Sequence, residues 1–203
     1  MNPPLRAFAR LASLFVACLG LSAAETTSSA TKPMTTPPKL EKATFGAGCF
    51  WGVEYQYRKI PGVLEAYCGY SGGKTERPTY REVCQHDTGH AEVIEVTFDP
   101  AKVSYRQLVE YFFRMHNPTQ VDRQGPDVGD QYRSVIFYHS PEQKKVAEEV
   151  KAALTAAKKY DEPIATKVEP AQPFWKAEEY HQRYYEKKGG RPYCHLVEYA
   201  PEK

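Results

Sequence analysis

The chain has 203 residues, enough for one domain plus extensions, and carries 27 basic against 25 acidic residues for a formal charge of +2. That near-balance, with no basic stripe, argues against a nucleic-acid partner. No run of roughly 18 apolar residues occurs past the N-terminus, so no spanning helix is expected in the mature chain.

In chain order, "MNPPLRAFAR" carries Arg6 and Arg10 and leads into a short apolar run, "LASLFVACLGLSAA", that ends in small residues. Ser22 and Ala24 suit a signal peptide over 1–24 cut after Ala24, which implies export to the periplasm or the extracellular medium. An uncleaved hydrophobic helix is one alternative. A lipid anchor at Cys18 is another, although Phe15 stands where such a signal would usually carry leucine. Residues 25–40, "ETTSSATKPMTTPPKL", are rich in Thr, Ser and Pro and read as a flexible tether, leaving 41–203 as the domain.

"KATF" (42–45) is a strand candidate that runs into a tight turn at Gly46 to Gly48. From Cys49 the pattern becomes helical, with Phe50, Val53 and Tyr57 on one face, until "PG" at 61–62 ends it. "VLEAYCGY" (63–70) and "AEVIEVTF" (91–98) read as strands. Ser104 with Gln107 forms a capping-box pattern opening a helix whose apolar face is Tyr105, Leu108, Val109, Phe112 and Phe113. "YRSVIFYH" (132–139) is a further strand. Ser140, Pro141 and Gln143 then start a helix with Val146, Val150, Ala153, Leu154 and Ala157 as its expected face. A short strand is expected near 164–169 and a polar helix over 176–188. The order strand–helix–strand–strand–helix–strand predicts an α/β (α+β) fold with a ferredoxin-like split βαβ core. The stretches 71–90 and 116–131 have little regular pattern and are candidate site loops.

Removing the leader leaves Cys49, Cys68, Cys84 and Cys194, which two structural disulfides could join in three connectivities. A chain of about 160 residues can bury a core without such bridges, so the thiols are available for chemistry. Cys49 stands out. A free thiol has a pKa of about 8.5, so only about 3% is thiolate at neutral pH. A strand–glycine turn–helix arrangement places Cys49 at a helix N-terminus, which favours the anion. Strand alternation puts Glu92 in phase with Ile94, Val96 and Phe98, hence toward the core, where loss of hydration lets a carboxyl keep its proton. The alternative is an edge charge turned to water. Cys68 and Cys84 lie in apolar, strand-like contexts, which suits inert burial or a bridge between them.

"GAGCFWG" (46–52), "PTYREVCQHDTGHAEVIEVTFDP" (78–100), "QYRS" (131–134) and the Tyr–Cys pair near the C-terminus resemble the A-type peptide-methionine sulfoxide reductases, over roughly residues 43–196. The resemblance implies an α/β sandwich with a ferredoxin-like core. It implies that Cys49 attacks the sulfur of the S-epimer of methionine sulfoxide and becomes a sulfenic acid. Phe50 and Trp51 would wall an apolar pocket for the S-methyl group, and Glu92 would donate a proton to the sulfoxide oxygen. Tyr80 and Tyr132 would hydrogen-bond that oxygen, and Asp127 would help shape the site. Cys194, with Tyr193 beside it, would resolve the sulfenic acid as a disulfide, which a thioredoxin-like donor reduces. Substrates would be oxidised proteins or free methionine sulfoxide, with no metal or organic cofactor, and a monomer is expected. Relatives with two C-terminal cysteines exist; this chain has one, so a single disulfide step is the simpler expectation. A thiol protease using His181 or His195, and a zinc module using Cys68, Cys84, His86 and His90, are the rival readings. The phenylalanine between Cys49 and Trp51 speaks against the first, and the lack of a Cys-x-x-Cys pair against the second.

Overall fold

The computed structural model describes residues 39–190 and Pro192. Its centre is a six-stranded sheet. The strands are β1 (Glu41–Ala47), β2 (Val63–Ser71), β3 (Ala91–Phe98), β6 (Ser134–Tyr138), β7 (Lys167–Pro170) and β8 (Trp175–Lys176), in the order β7-β6-β1-β3-β2-β8. All neighbours are antiparallel except β6 and β7. The inner four strands, β6-β1-β3-β2, have the split βαβ arrangement expected from the sequence: β1 and β2 flank β3, with helix α1 (Phe50–Tyr57) between them in the chain.

One face of the sheet carries the main core. Ala43, Phe45 and Ala47 of β1, Ala66, Cys68 and Tyr70 of β2, and Ile94, Val96 and Phe98 of β3 are fully buried there. They pack with residues of α1, α3 (Tyr105–Met115) and α4 (Pro141–Ala156). The alternation that sends these residues inward sends Ala91, Val93, Val135 and Phe137 to a smaller cluster, which packs against Phe174. Helix α3 begins as its sequence requires: Ser104 accepts from the Gln107 N–H while the Gln107 side chain reaches back, and all five expected apolar residues are buried.

Three expectations change. Helix α4 buries Gln143, Ala147 and Val150, while Ala153 and Ala157 are exposed. Gln143 goes inside because its amide is fully engaged: Nε2 donates to the Lys42 carbonyl at 2.8 Å and Oε1 accepts the His139 N–H at 2.9 Å. The stretch 132–139 is a strand only from Ser134, since Asp130–Tyr132 form a 3₁₀ turn. The helix expected over 176–188 is reduced to α5 (Tyr184–Lys188). Here β8 joins the sheet edge, and Gln182 continues the edge with its side chain. Its Oε1 accepts the Cys68 N–H at 2.9 Å and its Nε2 donates to the Cys68 carbonyl at 3.0 Å. Satisfying that strand edge outweighs the modest gain of a polar helix. The presumed irregular loops are also partly ordered, by α2 (Tyr80–Val83) and by a hairpin of β4 (Arg123–Gln124) and β5 (Asp127–Val128).

Candidate active site

Register brings the chemistry to one end of the sheet. Ala47 pairs with Ser134, Tyr70 with Glu92, and Ser71 with Ala91. The residues just beyond the end of β1, at the start of β3 and just before β6 therefore converge there: Cys49, Glu92 and Tyr132. Gly48, at φ +90°, makes the turn out of β1 that an L side chain would resist. Gly46 lets β1 pass close to its neighbours, since a Cβ there would lie 2.8 Å from Val135 Cγ1.

Cys49 is the N-cap of α1, 7% exposed, and its side chain does not cap the helix. The thiol is thus left at the positive end of the helix, as the glycine turn suggested. Glu92 is 1% exposed, on the core side of β3 with Ile94, Val96 and Phe98, so the strand-phase reading of its position holds and the solvent-edge alternative does not. The Phe50 N–H, one of the donors a helix leaves unpaired at its start, donates to Glu92 Oε2 at 3.1 Å. One hydrogen bond therefore ties the buried carboxyl to the residue after Cys49.

The tyrosines gather around this pair. Burial raises the Tyr132 hydroxyl above its ordinary pKa, and the charges of Glu92, Asp127 and Cys49 raise it further. Tyr80, first residue of α2, is raised by burial, by its contact with Cys84, and by Glu92. Both phenols are held protonated, hence able to donate. Asp127, on β5, is half-buried near Tyr132. Phe50 and Trp51 differ. Phe50 is 1% exposed and belongs to the core, its ring 5.8 Å from that of Tyr70, whereas Trp51 is only half-buried. Tyr193 and Cys194 lie outside the described residues, as do Cys18 and the leader.

Sequence reading missed what holds Trp51. Its indole N–H donates to His181 Nδ1 at 2.9 Å, and its ring stacks on Tyr184 at 3.8 Å between centroids, 4° from parallel. His181 also packs on Phe50 and Tyr80, at 4.9 and 4.5 Å. Glu178 accepts from the Tyr70 hydroxyl at 3.0 Å and from the Tyr80 N–H at 2.9 Å, so it links β2 to α2. The aromatic density of "YHQRYY" (180–185) was the available signal, but it was hidden in a stretch that read as a solvated helix. Because an indole N–H only donates, His181 Nδ1 must accept, and the ring proton sits on Nε2.

Among the described residues the rival sets are not assembled. Cys68 is fully buried in the core with its thiol donating to the Phe50 carbonyl at 3.6 Å, and both Cys68 and Cys84 are free thiols, so the bridge between them is not formed. His90 is engaged by the Gly73 N–H and the Thr75 carbonyl, at 3.1 and 2.7 Å. Among the described residues no three His, Cys, Asp or Glu side chains are placed to hold a metal. His181, one of the two protease candidates, is bound to Trp51, and His195, the other, lies outside the described residues.

Residues 41–203 match the family described as peptide methionine sulfoxide reductase. The peptide methionine sulfoxide reductase MsrA of Acidobacterium capsulatum is 58% identical over 157 residues, 77% of this chain and 100% of that protein. That of Methanoculleus marisnigri is 55% identical over 157 residues, covering 77% and 96%. Among solved structures, reduced Mxr1 from Saccharomyces cerevisiae superposes with a TM-score of 0.74 at 37% identity, over 80% of this chain and 94% of that one. Mxr1 in complex with Trx2 gives 0.54 at 28%, over 83% and 96%.

Burial lowers the His181 pKa below its ordinary 6.5, with Glu178 opposing more weakly. A histidine depressed on folding adds stability that is present above about pH 6.5 and lost as pH falls from there through the lower folded value. In ¹⁵N NMR, His181 should be the neutral Nε2–H tautomer at pH 6.5 and titrate below that pH; a cationic ring at pH 6.5 would contradict the assignment.

Proposed function

The chain belongs to the peptide methionine sulfoxide reductase family and reduces methionine sulfoxide by thiol chemistry, and from that premise we propose the role of each residue. The observation that carries the proposal is the Phe50 N–H bond to buried Glu92, directly beside Cys49. The Cys49 thiolate attacks the sulfoxide sulfur while Glu92 gives its proton to the oxygen. Tyr80 and Tyr132 donate hydrogen bonds to that oxygen, with Asp127 behind Tyr132. Trp51, backed by Phe50, receives the S-methyl group. The sulfur–oxygen bond breaks and the oxygen leaves as water; a water then opens the new sulfur–sulfur bond with loss of a proton, releasing the thioether and leaving Cys49 as a sulfenic acid. The Cys194 thiol then displaces the sulfenic oxygen as water, forming the Cys49–Cys194 disulfide, with Tyr193 beside it. A dithiol donor returns both cysteines to thiols by exchange and is itself oxidised.

Support for a thioredoxin-like donor comes from the yeast relative's structure in complex with Trx2. The S epimer, in oxidised proteins or free methionine sulfoxide, is the substrate that the family resemblance implies. We also propose that residues 1–24 direct export and that 25–40 are a tether. The charged start and apolar run support this, as does a family match that begins only at residue 41. The mature protein then acts in the periplasm or extracellular medium.

Cys194→Ser should stop multiple turnover yet still yield about one methionine per enzyme in a rapid-quench experiment with excess sulfoxide. Loss of that first product, as complete as in Cys49→Ser, would remove Cys194 from the resolving role. N-terminal sequencing of exported protein should begin at Glu25; a start at Met1 or a lipidated Cys18 would overturn the cleavage assignment.

A further inference from the structure

Helix α1 has a second face. Trp51, Glu54, Tyr55 and Arg58 stand at i, i+3, i+4 and i+7, one stripe of a helix, offset from the core-facing Phe50, Val53 and Tyr57. The whole stripe meets residues 181–186. Trp51 holds His181 and Tyr184, Tyr55 meets the Tyr185 ring edge-on at 5.6 Å, and Arg58 Nε donates to Glu186 Oε1 at 2.8 Å. Glu54 lies at the centre of the stripe and is 1% exposed. Its Oε2 accepts the Arg183 N–H at 2.7 Å, and its Oε1 is buried with no hydrogen-bond partner. Arg183 holds φ +54°, in the left-handed region that residues with a Cβ seldom adopt. A conformation the chain would not choose alone thus aims that N–H at the carboxyl.

We propose that Glu54 is a positioning residue of the reductase: by holding the Arg183 N–H under the C-terminal segment, it fixes His181 and Tyr184 around Trp51 and keeps that ring in place as a wall of the sulfoxide site. The proposal rests on the reductase reading of the site above. Glu54 does not touch the substrate. It acts through the backbone at Arg183, one residue from Tyr184 and two from His181.

The protonation of Glu54 is coupled to this docking. Burial raises its pKa from 4.5 to about 7, against weaker lowering by the Arg183 N–H and by Arg58 at the end of α1; Glu186 adds a small rise, and the neighbouring Cys68 thiol on β2 gives its proton to the Phe50 carbonyl. A carboxyl with a higher pKa when docked binds its proton more tightly in that state. Docking is therefore firmest with Glu54 protonated and loosens as pH rises from 4.5 through about 7.

The test uses the full chain carrying Trp175→Phe, which leaves Trp51 as its one tryptophan. Glu54→Ala should raise KM for a methionine sulfoxide peptide about tenfold, leave the maximal single-turnover rate within about threefold, and shift Trp51 emission as the Tyr184 stack loosens. Glu54→Gln keeps an acceptor for Arg183 and should restore KM, while abolishing the transition in Trp51 emission near pH 7 that the parent should show. Wild-type KM and emission in Glu54→Ala would overturn the proposal, as would identical emission titrations of the parent and Glu54→Gln. If Glu54→Ala fails to fold, the Glu54→Gln titration decides. Emission needs no turnover, so a chain that reduced no sulfoxide would sink the reductase reading while this measurement still judged Glu54.

Discussion

The hydrogen bond from the Phe50 N–H to Glu92 is the constraint on which the site depends. It spans two elements: the first turn of α1, whose amides have no partner within the helix, and the core face of β3, where a carboxyl has no water. Each element answers the other's unmet need. The consequence is electrostatic. A thiolate at Cys49 and a carboxylate at Glu92 side by side, nearly buried, would repel, whereas a thiolate beside a neutral carboxylic acid does not. The role proposed for Glu92 requires the state in which its carboxyl keeps the proton and Cys49 carries the charge, so that attack on sulfur and protonation of oxygen occur together.

Around this pair the protein builds a rigid donor set and a rigid wall. Tyr80 and Tyr132 come from separate segments, yet burial, the largest influence on each, keeps both phenols protonated. Glu178 anchors the Tyr80 backbone to Tyr70 on β2, the register partner of Glu92. The Trp51 ring is gripped by a histidine on its edge and a tyrosine on its face. These contacts all come from residues 181–184, far in the chain from the helix that carries Trp51. Such preorganisation limits reorganisation during the reaction.

Much of this was legible in the residues. Period-two alternation offered the core side for Glu92, with a solvent-facing strand end as the alternative that its burial removes, and the Gly-x-Gly turn placed Cys49 at a helix start; both are local signals. The C-terminal segment was not legible. "KAEEYHQRYYEKK" has the charge pattern of a solvated helix, and nothing in it shows that Gln182 will complete the edge of β2 or that Arg183 will turn left-handed. Those outcomes depend on a strand more than a hundred residues earlier, Cys68 and Gln182 being 114 apart. Buried Gln143 escaped for a related reason: its partners, at Lys42 and His139, make a polar residue a core residue, which apolar periodicity does not register. Glu54 was passed over because α1 was read by its apolar face alone.

The central claim is that Glu92 supplies the proton as Cys49 attacks sulfur. The direct measurement is the single-turnover rate of methionine formation against pH, for the wild type and for Glu92→Gln, which keeps the shape but has no proton to give. Wild type should lose rate at high pH as Glu92 ionises, and the variant should be slower by about 10²–10⁴-fold and lack that limb. A Glu92→Gln enzyme with a near-normal rate and an unchanged pH profile would contradict the claim.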